Sequence, residues 1–155
     1  MANGFELPEN LKYNEGSIHD PVTYFNQSGC VSWLCLTGDE FAQMENGMSF
    51  QQVQEATPHS LNVISDPPRT LNLDLAQQHV KALDSLPRPT LISCRMGPRA
   101  SAVAYMYAGL KLDADPEEVI AAAEKANAPF TKSDDYKAWV HDSIEALRTK
   151  SNNVK

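Results

Sequence analysis

The chain has 155 residues, one domain's worth, of which 42% are hydrophobic and 21% charged; this excludes a disordered, collagen-like or coiled-coil protein. Thirteen Lys and Arg against twenty Asp and Glu give a net charge of −7, so neither nucleic acid nor an anionic membrane surface is expected as a partner. No apolar run approaches the ~20 residues that a membrane-spanning helix needs.

In chain order, residues 1–18 read as an N-terminal extension holding one short edge strand around residues 11–13. The opening Met1-Ala2-Asn3-Gly4-Phe5-Glu6 lacks a basic region followed by an apolar stretch, so no secretory signal is expected. Asp20-Pro21 has the pattern of an N-cap with proline in the first helical position, and Gly29 is placed to end that helix. Residues 30–36 (CVSWLCL) are apolar almost throughout, as in a strand buried on both faces. Ser49 and Gln52 have capping-box spacing for a helix over 50–56. Residues 60–64 (SLNVI) form a second strand, and Ser65-Asp66-Pro67-Pro68 a loop. A helix is expected over 73–86, stopped by Pro87 and Pro89, then a strand over 90–94 (TLISC). Residues 100–112 are apolar on nearly every side, the pattern of a central helix. Asp115-Pro116-Glu117-Glu118 opens a further helix, Pro129 separates it from a last one over 133–148, and the tail frays. Strands alternating with helices imply an α/β fold with a mostly parallel sheet of about 4–5 strands flanked by helices. The expected organisation is a single domain over 19–148 with a flexible tail over 149–155.

The chemistry concentrates at one strand-to-helix junction, Cys94-Arg95-Met96-Gly97-Pro98-Arg99-Ala100-Ser101. In an open α/β fold such a loop lies at the carboxyl end of the sheet, where ligands bind. Its backbone N–H groups and the helix N-terminus form an anion cradle, with Arg95, Met96, Gly97, Pro98, Arg99, Ala100 and Ser101 as its positions. Gly97 lets the loop curl, and Arg99 offers a planar fork of donors. In that field the Cys94 thiolate is stabilised and becomes a nucleophile. Cys30, Cys35 and Cys94 are an odd number for a disulfide framework. They point to a reducing setting, the cytoplasm or an organelle interior if a transit peptide was removed. His19, His59, His79 and His141 form no i,i+4 pair, and neither a metal nor an organic cofactor is expected. Trp33 and Trp139 read as core, His59 and His79 as surface, and Asp134-Asp135 as a helix-start pair. Nothing in the sequence indicates an oligomeric state.

Over roughly residues 30–127 the chain resembles cysteine-dependent phosphatases. It is most similar to the phosphatase-like domain of bacterial beta-lactamase-hydrolase-like proteins, itself like the dual-specificity phosphatases. The matching segments are CVSWLCL, Val63-Ile64-Ser65-Asp66, the loop CRMGPRAS and the helix ending AAAEKANAPF. The resemblance implies Cys94 as nucleophile, Arg99 as oxyanion clamp and Asp66 as general acid, acting on a small anionic substrate through a phosphocysteine. Asp39, after the preceding strand, competes for the acid role, and Arg69 is a further loop cation. Three features depart from the usual phosphatase pattern: Ser93 precedes the cysteine where His is usual, four residues separate Cys94 from Arg99 where five are usual, and Ala100 follows the arginine in place of Ser or Thr. The four-residue spacing also occurs in rhodaneses. Two other readings therefore stand beside the phosphatase: a sulfurtransferase carrying a persulfide on Cys94, and a non-enzymatic module that binds an anion or a partner.

Overall fold

The computed structural model of the chain describes residues 5–37, 43, 47–66 and 73–153, with the backbone alone at 65, 66 and 149–153. Strand β2 (Ser32–Thr37) is buried along its whole length, as the apolar run over 30–36 requires. It pairs with β3 (Ser60–Asp66) on one side and β4 (Thr90–Ser93) on the other, and β4 pairs with the three-residue edge strand β1 (Leu11–Tyr13). All three pairings are parallel, in the order β1-β4-β2-β3. This is the expected α/β architecture, with four strands among the described residues.

Strand alternation divides the core between the two faces of the sheet. Trp33, Cys35 and Leu91 point to one face with Phe25 of helix α1 (Pro21–Ser28) and Val53 of α2 (Phe50–Ala56). Leu34, Leu36, Ile92 and Cys94 point to the other, with α3 (Leu73–Ser85), α4 (Pro98–Lys111), α5 (Pro116–Lys125) and α6 (Asp134–Asn153). Cys35 and Cys94 are thus on opposite faces, and all three cysteines are free thiols.

The helix starts are those the caps dictate. The Asp20 carboxylate accepts from the Thr23 N–H at 3.3 Å, and Gly29, at φ 77°, ends α1. At α2 the capping box is complete: Gln52 N–H donates to Ser49 Oγ (3.2 Å) and Ser49 N–H to Gln52 Oε1 (2.8 Å). Just past the end of α3, Arg88 Nη1 donates to the Leu83 and Leu86 carbonyls, both at 2.9 Å, and Leu86 N–H also donates to the Leu83 carbonyl.

Several expectations are corrected. β2 begins at Ser32 because Cys30 and Val31 are used in the exit from α1. β3 runs through Asp66, two residues beyond the expected 60–64, because Thr37 of β2 pairs with it past a register shift. β4 ends at Ser93, so Cys94 already belongs to the loop. α4 starts at Pro98 because proline is accepted at the first helical position. A 3₁₀ turn (Pro129–Lys132) fills the space before α6, which continues to Asn153 with no glycine or proline to stop it. His79 is not on the surface: it is fully buried, its ring edge-on to Trp139 with centroids 5.9 Å apart. Among the described residues no helix is long and apolar enough to cross a membrane.

Helix α4 is the hub, with every residue from Arg99 to Gly109 buried. At Gly109 a Cβ would come within 2.7 Å of Val119 Cγ2 on α5 and 2.9 Å of Ile144 Cδ1 on α6. Gly109→Leu is therefore expected to destabilise the fold by at least the ~1–3 kcal/mol typical of overpacking, lowering Tm by several degrees in a thermal melt. Burial, and then the positive charge of Arg99, push His79 down to about 3. Between pH 6.5 and 3 the unfolded chain takes up a proton at this side chain that the folded chain refuses. Stability should therefore fall as pH drops through that window, by at most about 1.4 kcal/mol per pH unit from this one group. Chemical denaturation at pH 7 and pH 4 checks this, and His79→Gln should flatten the difference.

Candidate functional site

The site begins with β4. This strand lies between β1 and β2, and the chain leaves its carboxyl end at Cys94, which is 2% exposed. Residues 95–97 turn the chain, with Gly97 at φ 119° as the N-cap of α4 and Pro98 in the first helical position. The turn directs two backbone donors at one atom: Gly97 N–H lies 3.1 Å and Ala100 N–H 3.3 Å from Cys94 Sγ. Ala100 sits in the first turn of α4, where N–H groups have no partner inside the helix, so the sulfur takes up a donor the fold leaves over. The positive end of the helix dipole adds to the same effect. Both donors favour a charged sulfur, against the desolvation that its burial imposes.

A second element holds this loop from the outside. Asn14, fully buried just after β1, accepts from Cys94 N–H through Oδ1 (3.1 Å) and donates through Nδ2 to the carbonyls of Cys94 (3.0 Å) and Gly16 (2.8 Å). Gly16 N–H donates to the Met96 carbonyl at 2.7 Å. A Cβ on Gly97 would lie 2.5 Å from the Asn14 carbonyl oxygen, so the two segments meet only because Gly97 has no side chain. Sequence reasoning missed Asn14, 80 residues from Cys94 in the chain, and its only signal was its place after a short edge strand.

Arg99 points into the protein and is 1% exposed. Its Nε donates to the Tyr136 hydroxyl at 3.0 Å, and its guanidinium carbon lies 5.3 Å from the Tyr136 ring centre and 5.9 Å from that of Trp139. Trp139 also packs against His79, so two residues that read as core and surface line the arginine's surroundings. Tyr136 was not singled out from the sequence either; its position one turn before Trp139 on α6 was the only hint.

The remaining expected residues distribute as follows. Arg95 is half-buried in the loop, and Met96 has its side chain 55% exposed, with Sδ accepting from Ser17 Oγ. Pro98 has no N–H to offer an anion. Ser101 is engaged within the fold: its N–H donates to the Gly97 carbonyl, and its hydroxyl donates to Pro98 O and accepts from Phe130 N–H. Ser93, in the position where His is usual, is buried on the opposite face and accepts from the Trp33 indole N–H at 2.8 Å. The backbone of Asp66 is at the carboxyl end of the parallel sheet, the end at which Cys94 leaves β4. Its side chain, like Asp39 and Arg69, lies outside the described residues. Burial pushes the Cys35 thiol up, and its hydrogen bonds to Thr37 offset this only in part. Among the described residues, metal-ligand chemistry gathers in His141, Asp142 and Glu145, within 4.8 Å of one another along the solvent side of α6.

No protein-family model matches the chain, and no curated protein matches it at a significant level. Solved structures do match. A candidate phosphatase from Neisseria meningitidis Z2491 superposes with a TM-score of 0.62 at 15% identity, over 89% of this chain and 96% of that one. A candidate phosphatase of the DUF442 group from Shewanella putrefaciens CN-32 gives 0.63 at 18% identity, over 94% and 92%. The core catalytic domain of the PP-IP phosphatase SIW14 from S. cerevisiae, solved with citrate, gives 0.61 at 14% identity, over 97% and 93%. The chain is thus similar along nearly its whole length to phosphatase structures of low sequence identity, and it has their phosphatase-like α/β fold.

Proposed function

We propose that this protein is a cysteine-dependent phosphatase-like hydrolase acting on a small phosphate-bearing anion. The observation that carries the reading is the convergence of the Gly97 and Ala100 N–H groups on Cys94 Sγ at a helix N-terminus. A buried thiol without such donors would be inert. The phosphatase-like fold supports the same reading, and the citrate bound by the SIW14 domain fits a site for small anions. With a net charge of −7 the chain as a whole repels such a ligand, so attraction must come from local groups: the loop amides, the helix dipole, Arg95 and Arg99.

In the first step the Cys94 thiolate attacks phosphorus. The phosphorus–oxygen bond to the leaving group breaks, and Asp66 gives its proton to the departing oxygen. Arg99 and the loop N–H groups that neither the sulfur nor the Gly97 carbonyl takes up hold the non-bridging oxygens. In the second step water attacks the phosphocysteine, its proton passes to the Asp66 carboxylate, and inorganic phosphate leaves with the thiolate restored. Ala100 in place of a hydroxyl residue removes the usual side-chain donor to the leaving sulfur, and its backbone N–H takes over that contact.

Cys94→Ser should abolish hydrolysis of an aryl phosphate, and mass spectrometry of a rapidly quenched wild-type reaction should find phosphate on Cys94. Asp66→Asn should lower kcat by about 10²–10⁴, most for alkyl phosphates, whose leaving groups need the proton most. Thiosulfate turnover without phosphoester turnover, with Asp66→Asn silent, would replace this reading by sulfur transfer. A Cys94 that neither turns over phosphoesters nor takes up sulfane sulfur would leave a binding module.

Tyr136→Phe keeps the ring under the guanidinium and removes the acceptor of Arg99 Nε. Loss of one hydrogen bond to a charged group should weaken competitive inhibition by inorganic phosphate roughly tenfold.

A further inference from the structure

The structure assigns Asn14 as the positioning residue of the site, the side chain that holds the peptide groups of Cys94 so that its sulfur meets the loop amides; this rests on Cys94 being the nucleophile. Strand β1 pairs with β4 over three residues, Leu11 with Thr90, Lys12 with Leu91 and Tyr13 with Ile92. There the backbone ladder stops, since the chain turns away through Gly16 at φ 104°. The N–H and C=O of Cys94 come just beyond the last rung, in a residue 2% exposed, where an unpaired polar group is costly. The Asn14 amide continues the ladder with a side chain, accepting from one group at 3.1 Å and donating to the other at 3.0 Å.

The third contact, Nδ2 to the Gly16 carbonyl at 2.8 Å, fixes which way the amide faces. One N–H and two carbonyls surround it, and a flipped amide would set its NH₂ against a donor and its oxygen against two acceptors. Asparagine alone fits this set of partners at this length. Aspartate would keep the bond from Cys94 N–H, face two carbonyls with a negative charge and bring that charge beside the sulfur. The loop is pinned further by Gly16 N–H on the Met96 carbonyl, while Gly97, whose N–H holds the sulfur, lies against the Asn14 backbone. The Asn14 side chain bonds to main-chain groups of Cys94 and Gly16, and it acts through the Cys94 main chain, three bonds from Sγ.

The test is the pH dependence of Cys94 alkylation by iodoacetamide in folded wild type, Asn14→Leu and Asn14→Asp, with the modified residue identified by peptide mass. Both variants should raise the Cys94 midpoint by about one pH unit, the scale of one weakened hydrogen bond, and Asn14→Asp by at least as much as Asn14→Leu because of its added charge. With an aryl phosphate both should lower kcat at least tenfold and leave KM within about threefold, as expected when the sulfur rather than the anion cradle is misplaced. A purely structural role predicts a lower Tm with the midpoint of the folded protein unmoved, and that result overturns the proposal. If Asn14→Leu does not fold, Asn14→Ser, which removes the amide without adding a charge, takes its place. The alkylation profile does not depend on turnover. A shifted midpoint in a protein that hydrolyses no phosphoester would refute the phosphatase reading and leave the positioning role standing, and an unshifted midpoint in an active phosphatase would do the reverse.

Discussion

The hydrogen bonds from Gly97 and Ala100 to Cys94 Sγ constrain the rest of the molecule, because here the two donors reach one sulfur through a strand that ends and a helix that begins within a few residues. The strand must be central, or its end would be flooded by water. β4 meets this by lying between β1 and β2 with all four residues buried. The helix must be held against the sheet without slack, and α4 is buried from Arg99 to Gly109, closely enough that no side chain fits at Gly109. The turn between them must be tight, which the positive φ of Gly97 allows and its contact with Asn14 enforces.

The same helix start buries a cation. Arg99 is surrounded by aromatic surface, with the Tyr136 hydroxyl taking its Nε and the rings of Tyr136 and Trp139 facing its guanidinium. A guanidinium is more weakly hydrated than an ammonium, and aromatic faces replace part of its lost water. His79 belongs to this environment as a neutral ring, since protonating it would set a second positive charge beside the first on a side chain that is itself fully buried. In a protein of net charge −7 the arrangement sets a positive charge just beyond the carboxyl end of the internal strand β4.

The two faces of the sheet divide the labour. On one, Phe25 stacks on Trp33 at 5.2 Å between centroids, and the Trp33 indole holds Ser93. Strand alternation sends the next side chain, Cys94, to the other face, where α4 begins. Ser93 thus anchors β4 from behind, and Cys35 is kept a full sheet's thickness from Cys94.

Local rules in the sequence determined much of this. The apolar run around Trp33 marked the central strand, Asp20-Pro21 and Ser49/Gln52 marked helix starts through caps that involve residues three apart, and CRMGPRAS marked the strand-to-helix turn. These signals are legible because the partners are close in the chain. The tertiary structure alone decided which side chains surround Cys94 and Arg99. Asn14 reads as an ordinary polar residue after a weak strand, Tyr136 and Trp139 as one face of an amphipathic helix, and His79 as a polar residue between Gln78 and Val80. Each acquires its role by meeting a group from a distant segment: Asn14 meets Cys94 only once β1 has added to the edge of β4, and Tyr136, Trp139 and His79 meet Arg99 only once α3 and α6 have packed on α4. A hydrogen bond or a ring contact depends on distances of a few ångströms in space, and sequence separation carries no information about those until the sheet order is fixed.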